Sequence, residues 1–241
     1  MRHAGILAHS VEGAALCLRA FAQYAGGDLG AHMHPDVTLD CIAMGHSMPF
    51  WDAGDRGPIR AILATSVDRL ALAGADFFAC PDNTAHLALQ ASGPQLALPG
   101  LHIAAVVADH AAAKGHRKVG ILGTRFTMES ELYPHALGQR GIHAVVPEAA
   151  DRAAVDQIIF GELVAGIFTD ASRARYVRVI EKLAGAGCDA VALVCTEIPL
   201  LVDASCSPLP VLDSTRLLAR AAAEVATGRR EMPVWRGGPM S

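Results

Sequence analysis

Short runs of apolar residues alternate along the chain with longer stretches in which apolar positions recur every three or four residues. The short runs predict strands over residues 4–9, 38–43, 77–80, 118–122, 143–146, 190–194 and 210–212. The longer stretches predict helices over residues 13–24, 58–73, 84–89, 103–115, 129–140, 153–165, 173–186 and 214–227. This alternation is typical of α/β proteins, in which crossover helices cover both faces of a parallel sheet.

The chain also repeats its own pattern. Gly-Ala-Asp-Phe-Phe-Ala-Cys-Pro-Asp-Asn-Thr at 74–84 corresponds to Gly-Cys-Asp-Ala-Val-Ala-Leu-Val-Cys-Thr-Glu at 187–197, and Gly-Ile-Leu occurs both at 5–7 and at 120–122. A repeat of roughly 110 residues is too long for a solenoid unit and close to the usual length of a domain. The sequence therefore predicts two pseudo-symmetric doubly wound domains, each with a parallel sheet flanked by helices.

Stretches that contain proline and glycine set the predicted domain borders. Residues 99–102 end the first half, and residues 208–210 end the second. We expect the last strand and helix to cross back, so that the first domain comprises 1–102 and 210–241 and the second comprises 103–209. The tail, 228–241, lacks periodicity and is interpreted as a loose surface segment or as a contact with a partner subunit.

Composition narrows the class of function. The 241 residues are 52% hydrophobic and 18% charged, with a net charge of -4, so nothing favours binding to nucleic acid or to an anionic membrane. No apolar run reaches the ~18 residues of a membrane span, and a strand-like N-terminus leaves no room for a signal peptide, so we expect a cytoplasmic protein. The six cysteines lack CxxC spacing, which argues against a disulfide framework or a zinc knuckle.

The corresponding ends of the repeat carry the candidate chemistry. Asp82 and Cys195 follow matching strands, and ligands of open parallel sheets bind beyond the carboxyl ends of strands. If the two halves face one another, these two residues flank a single active site in an interdomain cleft. Each also precedes a predicted helix start, where free N–H groups and the helix dipole favour a carboxylate or a thiolate.

Two strings carry a family resemblance. Pro-Asp-Asn-Thr-Ala-His at 81–86 and Val-Cys-Thr-Glu-Ile-Pro-Leu-Leu at 194–201 resemble the Cys-Asn-Thr and Gly-Cys-Thr-Glu signatures of the aspartate/glutamate/hydantoin racemase superfamily. Stretches at 123–128, 147–149, 158–160, 166–169, 171–173 and 213–215 resemble its aspartate racemase branch. The resemblance implies a cofactor-independent enzyme, commonly a homodimer, that removes a proton beside a substrate carboxylate and returns it from the opposite side.

The resemblance also implies roles for individual residues. Cys195 and Asp82 hold the positions of the two acid/base groups, with Asp82 where the family usually has a cysteine. Three residues would bind the substrate carboxylate: Asn83, Thr84 and Thr196.

Residues at the ends of two other strands are further candidates for contact with the substrate. Thr127 lies in the loop after the first strand of the second half and would donate another hydrogen bond. His9 and Ser10 end the first strand, where a substrate-binding residue is expected, although a histidine that forms only local hydrogen bonds is an alternative. The chain has no glycine-rich phosphate loop and no lysine in a pyridoxal motif, so no cofactor is expected.

Other interpretations of these residues stay open. Asp82 is a good N-cap before Asn-Thr. Cys80 is a second candidate for the family's first cysteine, but that alignment would break the Asn-Thr-Ala-His match. His32, His34 and Asp36 have a hint of metal spacing without a convincing further ligand, so we interpret them as solvated loop residues and predict no metal site.

The unlike pair of acid/base groups has an energetic consequence. Unperturbed carboxyl and thiol pKa values differ by roughly 4 to 5 units, about 6 kcal/mol, so balanced racemisation needs a pocket that brings the two values together. Otherwise Cys195 alone would move a proton, as in a one-sided decarboxylase, hydrolase or cis-trans isomerase of a small carboxylic acid. A small-molecule binding protein that has lost catalysis is a further alternative. The basic residues that some aspartate racemases use for a side-chain carboxylate have no clear equivalents at 45–49 and 166–169.

Overall fold

The computed structural model describes residues 1–30 and 32–240 of the chain. Ala31 and Ser241, both within the predicted first domain, lie outside the described residues. The chain divides into two compact units, one formed by Met1–Ile103 together with the segment that begins at Thr215, the other by Ala104–Ser214. Among the described residues, no helix has the length and apolar character needed to cross a membrane.

The first unit contains a four-stranded sheet in the order β2-β1-β3-β4. Its strands are β1 (Ala4–Ala8), β2 (Val37–Cys41), β3 (Phe77–Ala79) and β4 (Gly100–Leu101). Its helices before the division are α1 (Val11–Leu29), α2 (Met48–Ala53), α3 (Arg56–Leu72) and α4 (Asn83–Leu89), with a 3-10 turn over Met44–His46.

The second unit contains a sheet in the order β6-β5-β7-β8. Its strands are β5 (Lys118–Gly123), β6 (His143–Val145), β7 (Ala190–Val194) and β8 (Val211–Asp213). Its helices are α5 (Ile103–Ala113), α6 (Arg125–Met128), α7 (Leu132–Gly138), α8 (Ala149–Gly161), α9 (Asp170–Gly185) and α10 (Ile198–Leu201), with a 3-10 turn over Leu163–Ala165. The chain then returns to the first unit through α11 (Ser214–Ala226).

The two sheets have the same strand order, and neighbouring strands are parallel in both. The predicted fold class, two parallel sheets flanked by helices, is confirmed. In each sheet the strand order reverses at the centre, between β1 and β3 in the first and between β5 and β7 in the second. Doubly wound proteins bind ligands at such a reversal, so residues that follow these four strands are the first to consider as functional.

Buried apolar strands explain why the two sheets form where the sequence predicts them. Every residue of β1 and of β7 is buried, as a strand covered on both faces requires. Phe77 and Phe78 fill the interior of the first unit, and Tyr133 and Tyr176 fill that of the second. Gly100 is needed in β4 because a Cβ there would lie 2.3 Å from the Phe78 ring.

Two predicted elements differ from the structure. The strand predicted at 210–212 was expected to return to the first half, but β8 pairs with β7, Val211 opposite Val191, and only the helix after it returns. The helix predicted over 129–140 begins only at Leu132, as α7, because residues 129–131 separate it from α6. The Ser130 hydroxyl donates to the Thr127 carbonyl and accepts from the Leu132 N–H, which ends one helix and starts the next.

The tail after α11 is part of the first unit, so the prediction of a loose segment is wrong. The Gly100 N–H donates to the Trp235 carbonyl at 2.7 Å, and the Gly238 N–H donates to the Leu89 carbonyl at 2.9 Å. The Trp235 ring also stacks on the ring of His86, with the centroids 5.9 Å apart and the planes 11° from parallel. Main-chain bonds and ring stacking therefore hold the tail against α4 and β4.

Candidate active site

Asp82 lies beyond the end of β3 and caps α4. One carboxyl oxygen, Oδ1, accepts the Ala85 N–H at 3.0 Å, which is the usual bond of an N-cap. The other, Oδ2, lies 2.6 Å from Nδ1 of His9, and the Asp82 side chain keeps 13% of its exposure. The capping interpretation of Asp82 is therefore confirmed. The carboxylate also makes a second contact that capping does not need.

His9 follows β1 and connects Asp82 to the loop after β2. Its second ring nitrogen, Nε2, lies 2.9 Å from Oγ of Ser47, directly after the 3-10 turn. The His9 side chain is only 4% exposed, and Trp51 of α2 contacts it edge-on with ring centroids 6.4 Å apart. Both nitrogens of His9 are thus engaged within the first unit. Ser47 was not singled out from the sequence, although it lies in the 45–49 stretch where the chain departs from the family pattern.

Charge and burial act in opposite directions on this pair. Burial disfavours the charged His9 ring, but the Asp82 carboxylate outweighs it and raises the pKa of His9 above its usual value. Burial likewise disfavours the Asp82 carboxylate, but the charge and hydrogen bond of His9 and the Ala85 N–H lower the pKa of Asp82. At neutral pH, Asp82 is therefore a carboxylate, ready to accept a proton.

The remaining polar residues at this end of the sheet form part of the local structure. His86 of α4 donates from Nδ1 to the Asp82 carbonyl at 2.8 Å and accepts the Ile103 N–H at Nε2, so its ring is neutral; burial lowers the pKa of His86. Asn83 is buried at the start of α4, and Thr84 follows it, half-buried. Ser10 caps α1 by accepting the Gly13 N–H.

Cys80 does not fit an acid/base role. Its side chain is fully buried, and burial together with the nearby Asp82 charge raises the pKa of Cys80 well above its usual value. A thiol in such surroundings is inert. Burial and the neighbouring charge thus argue against Cys80 as the family's first cysteine.

Cys195 occupies the matching position beyond β7 in the second unit. Its sulfur lies 3.0 Å from Oε2 of Glu197 and donates to it, and the Thr196 hydroxyl donates to the same oxygen at 2.7 Å. All three residues are buried. The carboxylate accepts a hydrogen bond from the S–H group and would repel a thiolate, so this geometry favours the protonated thiol. Glu197 stood in the quoted motif, but its contact with the sulfur was not predicted.

The surroundings of Cys195 are acidic. Tyr176 of α9 is buried, and burial followed by the charges of Cys195, Asp156 and other acidic groups raises the pKa of Tyr176 well above its usual value. Thr127 follows β5 and is also buried; its N–H donates to the Thr124 carbonyl at 3.0 Å. The reversal point of the second sheet therefore combines a thiol with a carboxylate.

The described residues contain no cluster of three or more His, Cys, Asp or Glu side chains arranged to hold a metal ion. His32 and His34, the weak candidates from the sequence, belong to no such cluster.

The sequence matches the model of the Asp/Glu/Hydantoin racemase family over residues 17–222. This match covers most of the chain, so the protein belongs to that family. The expectation from the two signature strings is confirmed, and the fold described above is the two-sheet α/β fold of its members.

Individual relatives agree with this assignment. A candidate Asp/Glu racemase from Yersinia pestis is 33% identical, with 94% of this chain and 100% of that chain covered and a TM-score of 0.84. An aspartate racemase homologue from Pyrococcus horikoshii OT3 is 25% identical, with the same coverages and a TM-score of 0.79. The broad specificity amino-acid racemase RacX of Bacillus subtilis (strain 168) is 25% identical over 167 residues, 69% of this chain and 72% of RacX. These relatives support an isomerase of the racemase type.

Proposed function

We propose that this protein is a cofactor-independent amino-acid racemase or epimerase of the aspartate/glutamate type, which transfers a proton at the carbon next to a carboxylate. The observation that carries the proposal is the equivalent placement of Asp82 and Cys195. Each follows the third strand of a sheet with the same order, beside the point where that order reverses. Membership of a racemase family supports the same reaction class.

The proposed chemistry needs one group that accepts a proton and one that donates it. The Asp82 carboxylate removes the proton from the α-carbon, and the C–H electron pair moves into the substrate carboxylate as an enediolate. The Cys195 thiol then gives its proton to the opposite face, which forms the new C–H bond and leaves a thiolate beside Glu197. Before the next identical turnover, Asp82 releases a proton and Cys195 regains one.

Four side chains are proposed to hold the substrate carboxylate, as the family resemblance suggests: Asn83, Thr84, Thr127 and Thr196. Ser10 is a candidate for contact with the rest of the substrate. His9 would have to give up its bond to Asp82 or to Ser47 before it could contact a substrate, so it is left out of this set.

The test is proton exchange in D2O against a panel of D- and L-amino acids, hydroxy acids and substituted malonates. We expect deuterium at the α-carbon and loss of optical rotation with at least one amino acid, and the loss of optical rotation to disappear in Cys195→Ala, in which Asp82 alone can exchange the α-proton only with retention. Exchange with no member of the panel would contradict the proposal. Retained affinity for a ligand without turnover would favour a binding protein instead.

One observation favours a second candidate function, a one-sided proton transfer to or from Cys195, as in a decarboxylase. The charge of His9 lowers the pKa of Asp82, which widens the free-energy gap between the two protonation states that a balanced racemase must visit. Release of CO2 from a disubstituted malonate, with one enantiomer of product, would support this candidate. Racemisation of an amino acid at equal rates from both enantiomers would exclude it.

The assembly and the location of the protein are also proposals. We propose a cytoplasmic homodimer, by resemblance to the family. Light scattering coupled to gel filtration would test the dimer, and a mass that corresponds to one chain would contradict it.

A further inference from the structure

Three side chains of the first unit form a continuous hydrogen-bonded chain that ends on the candidate base. Asp82 Oδ2 lies 2.6 Å from His9 Nδ1, His9 Nε2 lies 2.9 Å from Ser47 Oγ, and Ser47 Oγ lies 2.8 Å from the Met44 carbonyl oxygen. Ser47 is 1% exposed, so water has little access to its contact with His9. The three members come from three loops, those after β3, β1 and β2, and the chain therefore ties those loops together.

The number of protons on Asp82, His9 and Ser47 determines the net charge of these three side chains. A serine hydroxyl has one proton, and here it points to the Met44 carbonyl, which leaves Ser47 Oγ as an acceptor toward His9. His9 must then donate from Nε2. Because Asp82 has a lowered pKa and is a carboxylate, Nδ1 also carries a proton toward Oδ2, and a ring with both protons is an imidazolium.

The hydroxyl of Ser47 also has a second position available. The Met44 carbonyl accepts the Ser47 N–H at 2.9 Å as well, so it keeps one hydrogen bond when the hydroxyl turns away. The hydroxyl can then donate to a His9 ring that has lost its Nε2 proton. Ser47 is therefore a partner for both protonation states of His9, and no heavy atom has to move between them.

We propose that Ser47 is a positioning residue that acts through His9: it supports His9 as an imidazolium, which fixes Asp82 as an oriented carboxylate. This inference rests on the proposed function, because it gives Asp82 the part of proton acceptor. Trp51 packs edge-on against the His9 ring and helps to fix its plane. The positive charge of the His9 ring is thus paired with Asp82 and does not bind a substrate carboxylate.

Among the described residues, few other titratable groups face the hydrogen-bonded side chains of Asp82, His9 and Ser47. Asp82 is the charged group next to His9. Cys80 from the end of β3 and His86 from α4 interact with Asp82. Burial holds Cys80 as a thiol and His86 as a neutral ring at neutral pH, so a titration of His9 is read against a constant background.

The primary experiment follows the ring nitrogens of His9 by NMR in uniformly 15N-labelled protein, from pH 5 to pH 10, with the signals assigned through His9→Gln. We expect two protonated nitrogens at pH 7 and, at higher pH, a neutral ring protonated at Nδ1. In Ser47→Ala the midpoint should fall by about one pH unit, because the hydrogen bond that the charged ring donates to Ser47 is stronger than the one that the neutral ring accepts from it. Ser47→Thr retains the hydroxyl and should restore most of the shift.

His86 provides a matched control in the same spectra. Its two nitrogens bond to the Asp82 carbonyl and to the Ile103 N–H, so its neutral form should not change in Ser47→Ala if the unit stays folded. A neutral His9 at pH 7, or a midpoint that is the same in the wild type and in Ser47→Ala, would overturn the proposal.

A functional measurement separates this inference from the proposed reaction. With a substrate that exchanges, the pH profile of kcat in Ser47→Ala should lose its high-pH limb about one unit earlier than the wild type, with KM changed less. An unshifted limb would overturn the positioning role. The NMR titration needs no turnover. A charged His9 together with exchange on no substrate would contradict the proposed racemase and would still support the hydrogen bonds from Asp82 through His9 to Ser47.

Discussion

The carboxyl ends of β3 and of β7 are built on the same topology and carry opposite electrostatics. In the first unit, a carboxylate is paired with an imidazole ring whose pKa it raises, His9 against Asp82. In the second unit, a thiol is paired with a carboxylate, Glu197 against Cys195. Each partner stabilises one protonation state of its neighbour, the ionised form of Asp82 and the protonated form of Cys195.

This difference shows how a duplicated fold can support a directional reaction. Two equal thiols would divide the roles of acid and base by protonation alone. In the proposed reaction, the partner of each group would set its protonation state before substrate binds, so the first unit would begin turnover as the acceptor and the second as the donor. In the same proposed reaction, the reverse proton transfer would be the unfavourable direction, because it starts from protonation states of Asp82 and Cys195 that their partners disfavour.

The largest effect should come from removal of the thiol. Cys195→Ala should lower racemisation by on the order of 1000-fold, because no other described group of the second unit occupies the donor position. Cys206→Ala, in a loop of the same unit and outside the site, is the control and should racemise the substrate at the wild-type rate. Wild-type racemisation in Cys195→Ala, measured by optical rotation, would contradict the assignment of Cys195 as the donor.

Asp82→Asn should come next, with a loss on the order of 100-fold. Asparagine is also a good N-cap, so the substitution keeps the bond to the Ala85 N–H and removes the base. Asp55→Asn, at the N-cap of α3 where Asp55 accepts the Gly57 N–H, is the matched control. Asp82→Asn also removes the carboxylate that pairs with His9, so its melting temperature should fall below that of Asp55→Asn, and only Asp82→Asn should lose exchange. Equal rates of exchange in the two variants would mean that Asp82 only caps α4 and is not the base.

A structural difference between the ends predicts a smaller effect, on stability. Gly-Ile-Leu is followed by Ala8 in the first unit and by Gly123 in the second, where a Cβ would lie 2.7 Å from Cγ2 and 2.9 Å from the carbonyl oxygen of Val194, the residue before Cys195. Gly123→Ala should therefore destabilise the protein by about 2 kcal/mol in urea unfolding. Gly138→Ala, where the added methyl meets no neighbour, should not. An unchanged stability in Gly123→Ala would mean that the two strand ends are equally tolerant.

The smallest effect should be on the reactivity of the thiol. Glu197→Gln removes the negative charge beside Cys195 but keeps an acceptor for hydrogen bonds, so the thiolate fraction at pH 7 should rise and alkylation by iodoacetamide should become about tenfold faster. Cys206 in the same protein is the internal reference for the labelling rate. Slower or unchanged labelling of Cys195 relative to Cys206 would show that Glu197 does not protect the protonated form.

Much of the fold could be predicted because it depends on local patterns of apolar and polar residues. The Gly-Ile-Leu repeats and the two apolar strands before Asp82 and Cys195 predict matching sheets, and the structure contains them. β4 was missed because Gly100–Leu101 is too short to form an apolar run. β8 was assigned to the wrong half because the pattern of 210–212 specifies a strand and not its partner, which is β7.

The candidate site could be predicted only in part, for a similar reason. The positions of Asp82, Cys195 and His9 at strand ends follow from the strands themselves. The bond from His9 to Ser47 depends on a 3-10 turn over Met44–His46 that has no periodicity. The bond from Cys195 to Glu197 depends on the side chain of Glu197 turning back past Thr196. Partners of this kind come from turns and rotamers, which a pattern of apolar positions does not describe.

The attachment of the tail has a consequence for how the molecule is made. The ribosome delivers all residues of the second unit before it delivers α11 and the tail, so the second unit can fold while the first still lacks its last segment. Until Trp235 emerges, the Gly100 N–H has no main-chain partner and one face of the His86 ring lacks its cover. The half of the protein that is synthesised first is therefore the half that is completed last.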